Sequence, residues 1–100
     1  MITLYSDDYG QTIKVNTYIS DIGDATSITI KMKKLGSTTT ATLSASEVAG
    51  DENYAVSADI ASGWLSDKTG KWVAQVVAVW TDAEVTGKEF IIEVVDRSSE

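Results

Sequence analysis

One stretch, residues 70–80, constrains the fold of this chain more than any other. Its two alternating sides are Trp72, Ala74, Val76, Ala78 and Trp80 on one, and Lys71, Val73, Gln75, Val77 and Val79 on the other. A period of two, β-branched residues and an opening glycine are typical of a β-strand. Both sides are largely apolar, so the strand requires cover on both. We therefore expect it in the middle of a layered domain or in a sheet that meets a partner.

The rest of the composition favours one all-β domain. The chain has 100 residues, is 43% hydrophobic and contains neither proline nor cysteine. Thr, Ser, Val and Ile are plentiful, and no long window keeps the 3.6-residue apolar period of a helix. We assign residues 1–96 to the domain and residues 97–100 to a polar C-terminal tail. Without cysteine, no disulfide holds the fold together.

Turn residues divide the chain into about seven short strands at spacings of roughly 8–12 residues. The predicted strands are residues 2–5, 12–19, 25–35, 39–45, 54–60, 70–80 and 84–95. We expect a loop with one helical turn near residues 46–49, and a corner at residues 61–69 with Trp64 or Leu65 in the core. The pattern predicts an immunoglobulin-like β-sandwich of about seven antiparallel strands. A five-stranded barrel of the oligonucleotide-binding type is the alternative.

Charge and residue usage exclude several functions. The net charge of -7 disfavours nucleic acid and anionic membranes as partners, since both require clustered Lys and Arg. The longest apolar run, Val76–Trp80, is far shorter than the ~20 residues of a membrane helix. The first residues show no leader pattern, so we expect synthesis in a cytoplasm. With no His or Cys, the usual nucleophiles and zinc sites are missing, and we expect no enzyme, no cofactor and no small-molecule substrate.

Acidic pairs and aromatic residues each admit a second interpretation. Asp7-Asp8, Asp21 with Asp24, and Asp51-Glu52 could supply calcium ligands. We favour a role in turns, where Asp is common for backbone reasons, and expect no metal. Trp72, Trp80, Tyr54 and Trp64 could form a sugar-binding platform, but Trp72 and Trp80 lie on the side of their strand that favours core packing. The candidates for exposed aromatic residues are Tyr9, Tyr18 and Trp64.

The outer side of one predicted sheet is the strongest functional signal. In an immunoglobulin-like order, the sixth strand lies between the third and the seventh. The side facing away from the core then carries an apolar stripe between a basic flank and an acidic flank that includes Glu89 and Glu93. We predict a protein interface formed by Lys31, Lys33, Val73, Val77, Val79, Ile91 and Val95. Scattered surface valines are ordinary, but so many on adjacent strands indicate a contact surface.

Four segments resemble the small immunoglobulin-like proteins of tailed bacteriophages, and are similar to the N-terminal domain of upper baseplate proteins. They are Asp8-Tyr9-Gly10-Gln11-Thr12-Ile13; Asp24-Ala25-Thr26-Ser27-Ile28-Thr29-Ile30 with Lys33-Lys34-Leu35-Gly36; Gly70-Lys71-Trp72-Val73-Ala74-Gln75-Val76; and Glu89-Phe90-Ile91-Ile92-Glu93-Val94. The likeness spans most of the chain, and its motifs consist of strand patterning and turn glycines.

The resemblance implies a non-enzymatic virion structural protein, made in the host cytoplasm, in the tail, baseplate or neck. In that family the module attaches receptor-binding or fibre parts to the particle. No such part follows here, so we expect a free-standing component that binds other virion proteins and occurs as a homo-oligomer or in many copies. The alternatives are a capsid decoration protein, or a module that binds host surfaces or glycans. A cellular adhesion or secretion-associated immunoglobulin-like domain is a further alternative.

Overall fold

The computed structural model describes residues 2–96, and these are β-strands and loops apart from one 3-10 turn, Ile22–Asp24. Nine strands form in this part of the chain. They are β1 (Ile2–Tyr5), β2 (Thr12–Asn16), β3 (Ser27–Lys34), β4 (Thr40–Ser44), β5 (Ser46–Glu47), β6 (Ala55–Asp59), β7 (Gly70–Val79), β8 (Glu84–Thr86) and β9 (Phe90–Val95). The prediction of an all-β domain is confirmed, and its strands lie in two sheets that pack together.

The larger sheet has the strand order β1-β9-β7-β3-β4, and β8 pairs with β7 beyond the end of β9. The long strand β7 therefore lies between β3 and β9, as the sequence predicts. The β3–β7 pair is antiparallel and runs from Ser27 opposite Val79 to Lys34 opposite Trp72. β4 is at an edge of this sheet, which matches its small, polar residues.

The smaller sheet has the order β2-β6-β5 and covers the inner side of the larger sheet. The chain passes between the sheets at Ala45, which separates β4 from β5, and again through the corner at residues 61–69. Leu65 in this corner is fully buried, and Trp64 packs partly against the core. The prediction that the corner anchors itself in the core is confirmed.

The core forms between the sheets from the sides that the alternating patterns assign to it. It contains Ile30 and Met32 of β3, Val56 and Ala58 of β6, and Ile92 and Val94 of β9. Trp72 is at its centre with 1% of its surface exposed. Its indole N–H donates a 2.8 Å hydrogen bond to the Lys68 carbonyl, so the ring is buried with its one polar group satisfied.

The expectation of antiparallel strands throughout is wrong for the first strand. β1 pairs with β9 in parallel, from Ile2 opposite Ile92 to Tyr5 opposite Val95. A tight hairpin forces two consecutive strands to be antiparallel, but these two are the first and last of the domain and no turn joins them. The direction of β1 is therefore decided by which edge of the larger sheet it reaches.

The expected count of about seven strands is not confirmed, because two segments behave differently. The last predicted strand is divided into β8 and β9 at residues 87–89, where the Gly87 N–H donates to the Val76 carbonyl at 2.8 Å. The helical turn expected near residues 46–49 is also wrong. There Glu47 pairs with Val56 of β6 and extends the smaller sheet, since the strand partner satisfies backbone groups that one isolated helical turn leaves open.

Two further differences lie at element ends. The second strand ends at Asn16 instead of Ile19, and the turn after it buries Ile22 completely. The predicted tail, Arg97–Glu100, lies outside the described residues, so the 1–96 boundary stays a prediction. Within residues 2–96, no helix has the length and apolar character needed to cross a membrane.

Candidate functional site

The predicted interface residues lie together on the outer face of the larger sheet, by which we mean the side turned away from the smaller sheet. In β7 the even-numbered residues from Trp72 to Ala78 belong to the core, so the odd-numbered ones point outward. Val73 lies between Lys33 of β3 and Ile91 of β9. Strand pairing therefore brings residues that are up to 64 positions apart onto one surface, as the separation of Lys31 and Val95 shows.

The apolar members of this face differ in accessibility. Val73, Val79, Ile91 and Val95 are half-buried. Val77 is only 7% exposed and does not belong to the core cluster. The expectation that Val77 offers an accessible surface is thus wrong.

The cover over Val77 follows from its place in the sheet. It lies opposite Thr29 of β3 and Thr86 of β8, so it has a strand on each side. Side chains directly across a ladder lie close together, so Val77 has a threonine beside it on each strand. The division of the last strand, which the sequence pattern did not reveal, places β8 beside Val77.

Opposite charges border the apolar stripe. Lys31 and Lys33 are exposed on β3, and neither makes an ion pair with a residue in the range 2–96. On the other side of β7 lie Glu84, Glu89 and Glu93. The Glu93 carboxylate is 3.9 Å from the Lys71 ammonium, and both side chains are accessible, so this pair contributes little to stability.

An open groove crosses the outer face. Val73 and Gln75 form its floor, Lys31 and Lys33 line one side, and Glu89 lines the other. It extends to the β3–β4 turn and has a volume of about 1160 Å³. The Gln75 amide donates a 3.1 Å hydrogen bond to the Gly87 carbonyl and so lies against the sheet. The groove is shallow and wide, a shape that suits contact with a macromolecular surface better than enclosure of a small molecule.

One carboxylate in each of two acidic pairs makes a turn interaction. The Asp8 carboxylate accepts a 3.0 Å bond from the Tyr5 N–H, and Asp51 accepts a 2.8 Å bond from the Asn53 N–H. Asp51 also pairs with Lys14 at 3.0 Å. The hydrogen bond from Lys14, followed by that from the Asn53 backbone, holds the pKa of Asp51 below its ordinary value.

No catalytic or metal-binding cluster emerges among the described residues. Within residues 2–96, no three acidic side chains are placed to share a metal ion. The pKa of Asp67 is also lowered, chiefly by the hydrogen bond from the adjacent Lys68, and both groups belong to the structural corner. The absence of metal, cofactor and enzymatic activity stays a prediction.

The aromatic residues separate into core and surface groups. Tyr9 and Tyr18 are 67% and 70% exposed, which confirms the expectation for both. Trp64 is half-buried instead, and the Lys68 ammonium lies 4.2 Å from its ring centre. The sequence did not reveal that Tyr18 and Tyr54 both adopt φ of 56°. These two tyrosines lie on adjacent loops, joined by a 3.0 Å bond from the Tyr18 N–H to the Asn53 carbonyl.

Comparison with known proteins adds no further constraint, since no protein-family model and no curated protein matches this chain.

Proposed function

We propose that this protein is a non-catalytic structural component of a bacteriophage particle that binds other virion proteins through the outer face of its larger sheet. The observation that carries the proposal is the half-buried stripe of Val73, Val79 and Ile91 between unpaired lysines and a row of carboxylates. Apolar side chains at the centre with charges at the border are typical of specific interfaces. The tail, baseplate or neck is the proposed position, and capsid decoration is the alternative.

The strand order supports an immunoglobulin-like assignment for the sandwich. In such domains the sixth strand lies between the third and the seventh. The predicted third, sixth and seventh strands correspond to β3, β7 and β9, and β7 lies between the other two. A sheet with one face in the core leaves its other face available for contact. The assignment is consistent with the resemblance to phage immunoglobulin-like proteins, in which such modules attach components to the particle.

The first test is the protein inventory of particles purified from the source. The proposal expects this protein in stoichiometric amount with other structural proteins, measured by quantitative mass spectrometry. Its absence from purified particles would refute the virion role.

The second test concerns the outer face. A Val79→Lys, Ile91→Glu double variant keeps the net charge and places two charges in the stripe. The fold should survive, since both residues are on the side away from the core and such substitutions change stability by about 0.5 kcal/mol or somewhat more. Incorporation into particles should fail, because unpaired charges in a desolvated interface centre are costly.

A matched control places the same two side chains on the smaller sheet. Asn16→Lys with Ser57→Glu alters outward positions of β2 and β6. This control should fold and be incorporated normally. Normal incorporation of the outer-face variant would show that the protein docks by another surface.

One observation favours host-surface glycan binding as a second candidate. Tyr18 and Tyr54 are exposed aromatic residues on adjacent loops, and both have left-handed backbone angles. Such angles cost a non-glycine residue about 1–2 kcal/mol, and they concentrate at functional sites. A glycan array with the wild type and a Tyr18→Asn variant tests this candidate. Binding by the wild type that the variant loses would support it, and no binding by the wild type would remove it.

A further inference from the structure

We propose that the outer face binds the outer face of a second copy of this chain. The twofold axis of this dimer runs parallel to β7 and lies between the two outer faces. This inference rests on the docking face of the proposed function and names its partner. Its basis is the placement of two charged groups. Lys31 lies on one side of β7 and makes no ion pair among residues 2–96, and Glu89 lies on the other side. At these two positions the surface is complementary to itself.

The geometry of one copy explains why these charges remain unpaired. Lys31 lies opposite Gln75 of β7, and Glu89, on the far side of β7, lines the same groove. Two strand spacings separate them, about 10 Å. They form no ion pair within the chain, and at physiological salt the screening length of about 8 Å weakens attraction over this distance.

The twofold rotation pairs them between copies. Rotation about an axis parallel to β7 places the β3 side of one copy opposite the β9 side of the other. Each residue keeps its position along the direction of β7. Lys31 of one copy then faces Glu89 of the second copy, and the reverse contact forms at the same time. Lys33 lies at the level of Ile91, between Glu89 and Glu93.

The same rotation places the apolar stripe on its own copy. Val73 and Val79 of β7 meet the same residues of the second copy, as two sheets packed about 10 Å apart would allow, and Ile91 meets the aliphatic part of Lys33. Rotation about an axis across the strands would instead place β3 over β3 and leave the lysines opposite Ser27 and Thr29. The charge pattern therefore selects the axis along β7.

The size of the face is compatible with a dimer. Its five paired strands are about 24 Å across, and the ten residues of β7 extend about 33 Å, so the face measures at most about 800 Å². One side of a standard specific interface buries about this area. A twofold contact of this kind is closed, so assembly should stop at two copies.

The test uses charge reversal and analytical ultracentrifugation. The wild type should form dimers at concentrations up to about 1 mM. A Lys31→Glu, Lys33→Glu variant and a Glu89→Lys variant should each weaken the dimer by at least about thirtyfold, because like charges then face each other across the axis. A one-to-one mixture of the two variants should restore a dimer, and so should the triple variant that carries all three changes.

A control separates this pattern from the effect of net charge. Glu52→Lys makes the same charge change as Glu89→Lys at an exposed position outside the outer face, and should leave the dimer unchanged. Circular dichroism of each variant checks that it is folded. A wild type that stays monomeric at about 1 mM, or reversals that do not recover in the mixture and the triple variant, would overturn the inference.

The virion role is tested by incorporation into particles, and the dimer is tested by analytical ultracentrifugation. If the wild type is monomeric but the Val79→Lys, Ile91→Glu variant is lost from particles, the outer face docks onto a different virion protein. If the dimer forms as described and particles lack the protein, the virion role fails and the self-association stands.

Discussion

Replacement of Trp72 by alanine removes the largest side chain of the core. The ring is 1% exposed, and its N–H donates to the Lys68 carbonyl at 2.8 Å. Truncation of a buried aromatic residue costs about 3–5 kcal/mol, and loss of the indole donor adds about 1 kcal/mol. We therefore expect the free energy of unfolding to fall by about 4–6 kcal/mol, a large share of the 5–15 kcal/mol of a small domain. No disulfide limits the loss, since the chain has no cysteine.

The assay is equilibrium unfolding in urea, followed by fluorescence and circular dichroism. With an m-value of about 1–2 kcal/mol/M, the midpoint should fall by about 2–6 M or the domain should be unfolded without urea. Trp72→Phe keeps most of the ring and removes the donor, so it should cost about 1–2 kcal/mol. Trp80→Ala, at a half-buried position, should cost less than Trp72→Ala. A Trp72→Ala variant with the wild-type midpoint would refute the assignment of the even-numbered residues of β7 to the core.

Three further predictions concern charged groups. The pKa of Asp51 is lowered in the folded state by Lys14, so this pair stabilises the protein above the ordinary pKa of 3.8 and the contribution is lost as the pH falls below it. The difference in urea midpoint between the wild type and Lys14→Met should therefore shrink as the pH falls below 3.8, and a difference that stays constant would contradict this prediction. Lys68→Met removes the 2.8 Å bond to the Trp64 carbonyl and the ammonium above the Trp64 ring, and should lower the free energy of unfolding by about 1–2 kcal/mol in the same assay. Calcium should leave the melting temperature unchanged relative to chelator, since the described acidic groups share no metal position, and a clear rise would reveal a folded-state site.

The alternating patterns predicted much of the core and the centre of the larger sheet. Ile30, Met32, Trp72, Ile92 and Val94 are buried as their strands require. The same alternation placed Val73, Ile91 and the β3 lysines on the outer face. Side-chain direction in a strand depends only on position along the chain, so a sequence with clear period-two patterning carries this information.

Burial on the outer face could not be predicted in the same way. Val73 and Val77 have the same pattern and the same side of β7, yet Val77 is nearly covered. Each valine has a strand on both sides, but the neighbours differ: Val73 lies between Lys33 and Ile91, and Val77 lies between Thr29 and Thr86 of β8, which is separated from β9 at residues 87–89. Gly87 lies in that break and its N–H bonds the Val76 carbonyl. An isolated glycine indicates an irregularity in a strand, but it does not show where the two halves will pair.

Local sequence therefore determined which residues form strands and which side of each strand is apolar, because propensity and alternation act within a few residues. Tertiary structure decided the partners. The parallel pairing of β1 with β9 and the hydrogen bond between the Tyr18 and Asn53 loops join segments distant in the chain, and Ser46–Glu47 forms a strand because β6 packs beside it. Backbone groups bond to whichever strand packing brings beside them, and that choice is made by the free energy of the whole domain.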